Sequence, residues 1–175
     1  KKYKSNLRNK LLLIKDRYGA GCSYIETTKD IKNLKLIKED KVIQPYIDGE
    51  DYSVSVYFTK NNFYILTVNK QILKYRNNKA RLSSIIVNVK PPSYLKITSL
   101  VSRIKDALPG LYGFAGIDII IKGNDIFITE INPRLTTSFI GIYDTIGVNI
   151  IDLIISRKSL KNIISGKKYY INNHE

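Results

Sequence analysis

A chain of 175 residues with 43% apolar composition can bury one core, divided at most into a lobe and a sub-lobe, and is too short for two independent domains. Its single cysteine, Cys22, excludes an internal disulfide, no Cys/His cluster has zinc-ligand spacing, and a reducing cytosol suits such a chain best. The 29 basic against 15 acidic residues give +14, which favours phosphate-bearing partners, but apart from "KKYKSNLRNK", which also reads as a solvated segment, the excess is spread along the chain rather than gathered into a patch.

In chain order, "KLLLIK" reads as a short buried strand, "YGAG" as the turn after it, and "TTKDIKNLKLI" as a helix opened by a Thr cap. "KVIQPYI" is a strand interrupted by Pro45. Two alternating stretches, "DYSVSVYFTK" and "NFYILTVNKQ", separated by "NN", predict a hairpin. It places Val54, Val56 and Phe58 on one face, and Ile65, Thr67 and Asn69 on one face of the partner. A polar segment and "KPP" follow, then "SYLKITSLVSRIKDALPG", a helix with a Ser cap and a Pro-Gly stop. "GFAGIDIII" and "DIFITEIN" form a second hairpin, and "FIGIYDTIG" and "NIIDLIIS" two short apolar helices. The longest apolar runs fall well short of the roughly 20 residues that a membrane-spanning helix needs, so no membrane is expected. The absence of Met throughout predicts an internal piece of a longer polypeptide.

The second hairpin carries the chemistry. A three-residue loop, Gly123–Asn124–Asp125, pairs Lys122 with Ile126 and sets Asp118 opposite Glu130 on one face. Asn132 continues that face, while Ile117, Ile119, Phe127, Thr129 and Ile131 pack on a helix. A two-residue turn at Gly123–Asn124 would instead oppose Asp118 to Thr129 and separate the acids, because side chains alternate along a strand. The three-residue loop is the expected register. Two carboxylates and a carboxamide so close repel unless a cation lies between them, and hard oxygen ligands suit Mg²⁺ or Mn²⁺. Pro133 ends the strand and turns Arg134 back, where its planar fork matches phosphate oxygens. The plainer alternative is a hairpin whose polar face simply meets water.

Two further stretches offer groups for a nucleotide. Lys15 closes a buried strand directly before a glycine-containing loop, presenting a cation beside free backbone N–H groups. "VIQPYIDGEDYSV" is a strand, a short link and a strand, with Asp48, Glu50 and Asp51 around Gly49; such a link can pair with an adenine edge while an acid accepts ribose hydroxyls. A turn rich in acids would look the same.

Lys15 with its small-residue loop, "QPYIDGEDYSVSV", "GIDIII" and "EINPRLTTS", in this order, resemble the ATP-grasp superfamily over nearly the whole chain. "NKQ" at 69 to 71 and "EINPRLTTSFIG" further resemble its archaeal members of the tyramine–glutamate ligase type, which act in making methanofuran. The resemblance implies an α+β fold in which two lobes with mainly antiparallel sheets sandwich ATP: residues 1–45 part of the small, nucleotide-covering lobe, and residues 46–175 the large lobe with the metal and triphosphate site. It implies that Lys15 meets the phosphates or the adenine edge, that Gln44 with the Tyr46–Ile47 backbone receives adenine, and that Asp51 accepts ribose, Glu50 being the competing choice. Asn69 and Lys70 would face the triphosphate, Asp118, Glu130 and Asn132 would hold the metal ions, and Arg134 would steady the transferring phosphoryl or the acyl-phosphate. Lys70 and Arg134 are thus the expected catalytic pair.

The implied reaction is phosphoryl transfer from ATP to a carboxylate, then attack of an amine on the acyl-phosphate, releasing ADP. It needs no nucleophilic side chain, and the sole histidine, His174, makes a histidine-based triad improbable. The family's usual N-terminal domain and an additional phosphate-binding lysine before "LLLIK" are not found here. Two other readings compete. A polyanion- or nucleic-acid-binding module would use the +14 charge, although acids occupy the best-formed site; a non-catalytic ATP-grasp subunit would bind nucleotide only.

Overall fold

The computed structural model describes residues 11–18, 25–29, 40–76, 79–156 and 167–172. The chain divides into two compact units. One takes the described residues up to Asp48 together with Leu73–Ser83, and the other takes Gly49–Ile72 and the described residues from Ser84 onward.

In the first unit, β1 (Leu12–Asp16) pairs antiparallel with β2 (Ile25–Thr28) on one side and β3 (Lys41–Pro45) on the other. Alternation along β1 buries Leu12 and Ile14. Thr27 and Thr28 end β2 instead of capping the expected helix, since their β-branched side chains suit the ladder that β1 offers them. Residues 30–37 of that helix, the glycine-containing loop at 19–21, Cys22 and His174 lie outside the described residues.

The second unit is built on four antiparallel strands in the order β5–β4–β7–β8: β4 (Glu50–Phe58), β5 (Phe63–Arg76, of which residues up to Ile72 belong here), β7 (Gly113–Lys122) and β8 (Asp125–Asn132). The region after the first hairpin, expected to be only a polar segment, contains β6 (Lys79–Val87), whose Ile85 and Val87 are buried and whose end pairs with β9 (Tyr169–Asn172). Neither strand shows a clean period-two alternation: β6 carries the adjacent Ser83 and Ser84, and β9 is only four residues long.

One face of the sheet packs on α1 (Tyr94–Ala107). Ile97, Val101 and Ile104 recur at helical spacing and meet Tyr52, Val54, Val56, Phe58, Ile117, Ile119 and Ile121. Each such side chain, fully buried, contributes roughly 1.5–3 kcal/mol. Ser93 stands at the N-cap as expected, but it accepts the Ile97 N–H through its backbone carbonyl rather than its hydroxyl. Two lysines of α1 strap the hairpin turns: Lys96 Nζ donates to Asn124 O (2.7 Å), and Lys105 Nζ to Thr59 O (2.9 Å) and Lys60 O (3.1 Å). On the opposite face, a 3-10 turn (Thr137–Gly141), α2 (Ile142–Ile146) and α3 (Ile150–Ser156) cover Tyr57, Leu66 and Phe114 at one end of the sheet. The rest of that face is mostly polar, with Ile120 and Phe127 among its residues. Among the described residues no single helix is long and apolar enough to cross a membrane.

Two bulges decide which residues share that polar face. Ser55 pairs with Thr67 but Val56 with Ile65, so Leu66 is the extra residue. Ile65 therefore packs on the α1 side, away from Thr67 and Asn69, contrary to the expected common face. In the second hairpin the turn is the two-residue Gly123–Asn124, with Lys122 opposite Asp125 and φ of +57° at Gly123. A positive φ at the first central position is the pattern in which glycine is preferred. Thr129 is then the extra residue of a bulge, and the register beyond it restores Asp118 opposite Glu130. The acids share a face as expected, but by a tight turn plus a bulge rather than a three-residue loop. The shift also moves Phe127 opposite Ile120, on the Asp118 face, while Ile126 takes the place against α1 expected of Phe127.

Candidate active site

Cross-strand register lays out the polar face as rows. One runs Asn69–Ser53–Asp118–Glu130 across β5, β4, β7 and β8, and the next Thr67–Ser55–Gly116–Asn132. Directly opposed residues have Cβ atoms about 5 Å apart, so the carboxylates of Asp118 and Glu130 repel unless positive charge offsets them. Asp118 Oδ1 accepts from Gln71 Nε2 at 3.1 Å and Oδ2 from Asn132 Nδ2 at 3.2 Å. Asn132 Oδ1 in turn accepts from Arg134 Nη2 at 3.2 Å. After Pro133 the chain folds so tightly that Arg134 N–H bonds Asn132 O (2.8 Å), and Arg134 Nη1 reaches Leu135 O at 3.2 Å. The guanidinium is exposed and tied at the strand end beside the carboxylates.

Beneath this rim lies a second, buried network. Asn69 is fully buried; its Nδ2 donates to Ser53 Oγ (3.2 Å) and Ser55 Oγ (3.1 Å), and its Oδ1 accepts the Asn88 N–H (3.3 Å). Ser55 Oγ meets Ser138 Oγ at 3.0 Å, which meets Thr136 Oγ1 at 3.1 Å. The segment after Arg134 is thereby bonded to the floor of the sheet. Gly116 makes its approach possible, because a Cβ there would lie 2.4 Å from Thr136 Cγ2.

The structure brings together Asp118, Glu130, Asn132 and Arg134, and it places Asn69 on their face as a buried support rather than an open contact. It does not bring Lys70 to them. Consecutive strand residues point to opposite faces, so Lys70 lies on the other side with its Nζ 2.5 Å from Glu50 Oε1 and 5.7 Å from the centroid of the Tyr52 ring. The lysine's hydrogen bond holds the Glu50 carboxyl below its ordinary value, and Glu50 raises Lys70 in the same way. Glu50 shares that other side, whereas Asp51, opposite Ile120, shares the Asp118 face. Lys15, Gln44, Tyr46 and Ile47 belong to the first unit: Lys15 pairs with Val42, Gln44 with Leu13, and Tyr46 donates its N–H to Leu11 O at 2.9 Å. Gln71 and the hydroxyls of Ser53, Ser55, Thr136 and Ser138 were missed. The alternation of "NKQ" offered a signal, since residues 69 and 71 must share the face that residue 70 leaves.

Burial pushes the Asp51 carboxyl above its ordinary value of 3.8. A raised folded value means that the folded state holds the proton more tightly. The resulting stability is present below about pH 4 and is lost as pH rises through the raised value. Asp51→Asn is therefore expected to raise the urea midpoint at pH 7, with the gain vanishing on acidification. A gain of equal size at every pH would show that ionisation is not its cause.

The ATP-grasp domain family matches residues 1–138, a stretch that ends on Ser138 and so includes the whole network. The chain is 31% identical over 139 residues to the tyramine–L-glutamate ligase of Methanocaldococcus jannaschii, covering 78% of this chain and 43% of that protein; it thus spans less than half the length of this relative. Among solved structures it is similar to the N5-carboxyaminoimidazole synthetase of Staphylococcus aureus complexed with ADP (TM-score 0.77, 21% identity, 94% of this chain and 46% of that one). It is also similar to the biotin carboxylase domain of the Hydrogenobacter thermophilus 2-oxoglutarate carboxylase, in complex with MgADP (TM-score 0.73, 17% identity, 95% and 42%). At these identities the two structures share the fold, whose α+β character and mainly antiparallel sheets are those seen here. Matched over most of its length, the chain belongs to the ATP-grasp family.

Proposed function

We propose that this chain is the nucleotide-binding part of an ADP-forming carboxylate–amine ligase that works in the cytosol through an acyl-phosphate, with an N-terminal domain of the same polypeptide. Glutamate and an amine such as tyramine are the substrates we favour, on the likeness to the archaeal ligase. The observation that carries the reading is the opposed pair Asp118 and Glu130 with Arg134 tied beside it.

The donor set fits a hard divalent cation. Two carboxylates face each other, and no three His, Cys, Asp or Glu side chains gather among the described residues, so water and nucleotide phosphates would complete the coordination. Mg²⁺ or Mn²⁺, when bound, offsets the negative charge that gathers as two anions meet. Asp118 and Glu130 would hold it. Asn132, whose nitrogen faces Asp118 and whose oxygen faces Arg134, orients both and offers its oxygen to the ion if the amide turns over. Arg134 donates to the transferring phosphoryl, and Asp51 on the same face accepts ribose hydroxyls. Lys15, Gln44, Tyr46 and Ile47 would serve the phosphates and the base. Lys70, on the opposite face with Glu50, would reach the nucleotide only by leaving that ion pair.

Calorimetric titration with a non-hydrolysable ATP analogue, with and without Mg²⁺, tests this reading. Binding is expected to require Mg²⁺ and to weaken at least about tenfold in Glu130→Gln. Binding that ignores Mg²⁺ and falls steeply with salt would support the polyanion-binding alternative instead. Metal-dependent binding without turnover in the full-length protein would identify a non-catalytic subunit.

A further inference from the structure

We infer that Gln71 is a positioning residue for Asp118, one half of an amide clamp whose other half is Asn132; this rests on the metal site proposed above. Gln71 projects from β5 and Asn132 from β8, and they reach the two oxygens of one carboxylate from opposite sides: Nε2 to Oδ1 at 3.1 Å and Nδ2 to Oδ2 at 3.2 Å. Gln71 is separated from Asp118 by β4, where the row next to Asp118 is occupied by Ser53. That small side chain leaves room for a glutamine to cross where a larger residue would block it. Both carboxylate oxygens are thereby fixed, and the rotation of Asp118 is stopped before any ion arrives.

The chemistry of the clamp matters as much as its geometry. Each amide donates a hydrogen bond without bringing charge, so Asp118 is oriented while keeping the negative charge that a cation needs. A lysine in place of Gln71 would orient the carboxylate equally well and would also neutralise it, competing with the metal. In "NKQ" the strand's alternation puts neutral amides at both inward positions, Asn69 and Gln71, and turns the cationic Lys70 to the other face against Glu50. Groups that orient a ligating side chain through a hydrogen bond typically change metal affinity by about 10–100-fold when removed.

The test uses the full-length protein and Mn²⁺ as probe, with bound ion measured by electron paramagnetic resonance in the presence of a non-hydrolysable ATP analogue. Gln71→Met, which keeps the length and loses the donor, and Gln71→Asn, whose amide is too short to cross Ser53, should each raise the Mn²⁺ dissociation constant about tenfold. Ile72→Ala, the neighbouring residue on the other face, should leave it unchanged, and circular dichroism checks that each variant is folded. Wild-type affinity in both Gln71 variants, with Asp118→Asn having lost the ion, would overturn the clamp and leave the metal site standing. Unchanged affinity in Asp118→Asn as well would overturn the metal site together with the clamp.

Discussion

Asp118→Asn in the full-length protein is expected to lower ADP release at saturating ATP and Mg²⁺ by about a hundredfold or more. The substitution keeps the shape of the side chain and removes half the negative charge of the opposed pair. It also confuses the hydrogen bonds, because Gln71 Nε2 and Asn132 Nδ2 both donate to Asp118 and an amide has one oxygen to offer them. One donor, Gln71 or Asn132, must then face an NH₂ group, and where it is Asn132 the guanidinium of Arg134, which donates to its oxygen, loses its tie as well. The fold should tolerate the change, since Ile117 and Ile119 on either side remain buried against α1 and the loss is about one hydrogen bond, ~1 kcal/mol. Rates of ADP release over a range of Mg²⁺ concentrations, beside a thermal unfolding curve, check both halves. Wild-type turnover in a folded variant would remove Asp118 from the chemistry.

Much of this site was legible because charged residues in an apolar strand have few structural uses. Asp118, Glu130 and Asn132 interrupt runs of isoleucine at positions where alternation brings them to one face, and Pro133 marks where the strand ends. The reading reached the right pairing by the wrong turn. A three-residue loop and a two-residue turn with a bulge at Thr129 give the same register beyond the bulge, and they differ only in the residues between, which is why Phe127 was set on the wrong side. The bulge at Leu66 caused the parallel error for Ile65. Bulges answer to packing on both faces of a sheet, here α1 on one side and α2 with α3 on the other, and local sequence carries little of that. Lys70 stands on the face away from the carboxylates, and its reading had a different source: its role came with the resemblance, while the alternation that separates it from Asn69 was already present in "NKQ". The serine and threonine network was illegible because hydroxyls at these positions look like ordinary solvent-facing strand residues until the segment after Arg134 is seen folded over them.

Asn69→Leu is expected to cost about 2–5 kcal/mol, whereas Thr67→Val, two residues away on the same face of the same strand, should be neutral or slightly stabilising. Asn69 is fully buried and its carboxamide is used at both ends, by the hydroxyls of Ser53 and Ser55 and by the N–H of Asn88. Asn88 holds a φ of +61°, a conformation that an L residue adopts at some cost, so the bond that fixes it also fixes the exit from β6. Leucine has similar bulk but leaves those groups facing hydrocarbon, and a buried polar group that loses its partner costs about 1–3 kcal/mol. Against a typical total of about 5–15 kcal/mol this is a large share. The damage should also reach the site, because Ser55 carries the chain of bonds to Ser138 and Thr136 behind Arg134. Thr67 differs in one respect: its Oγ1 is buried and, among the described residues, without a hydrogen-bond partner. Replacing that hydroxyl by a methyl group removes a desolvated polar atom and breaks nothing. Urea unfolding of the two variants beside the parent decides it. Equal losses would mean that bulk alone matters on this face, and opposite signs would show that the buried hydrogen bonds of Asn69 support the floor on which the site stands.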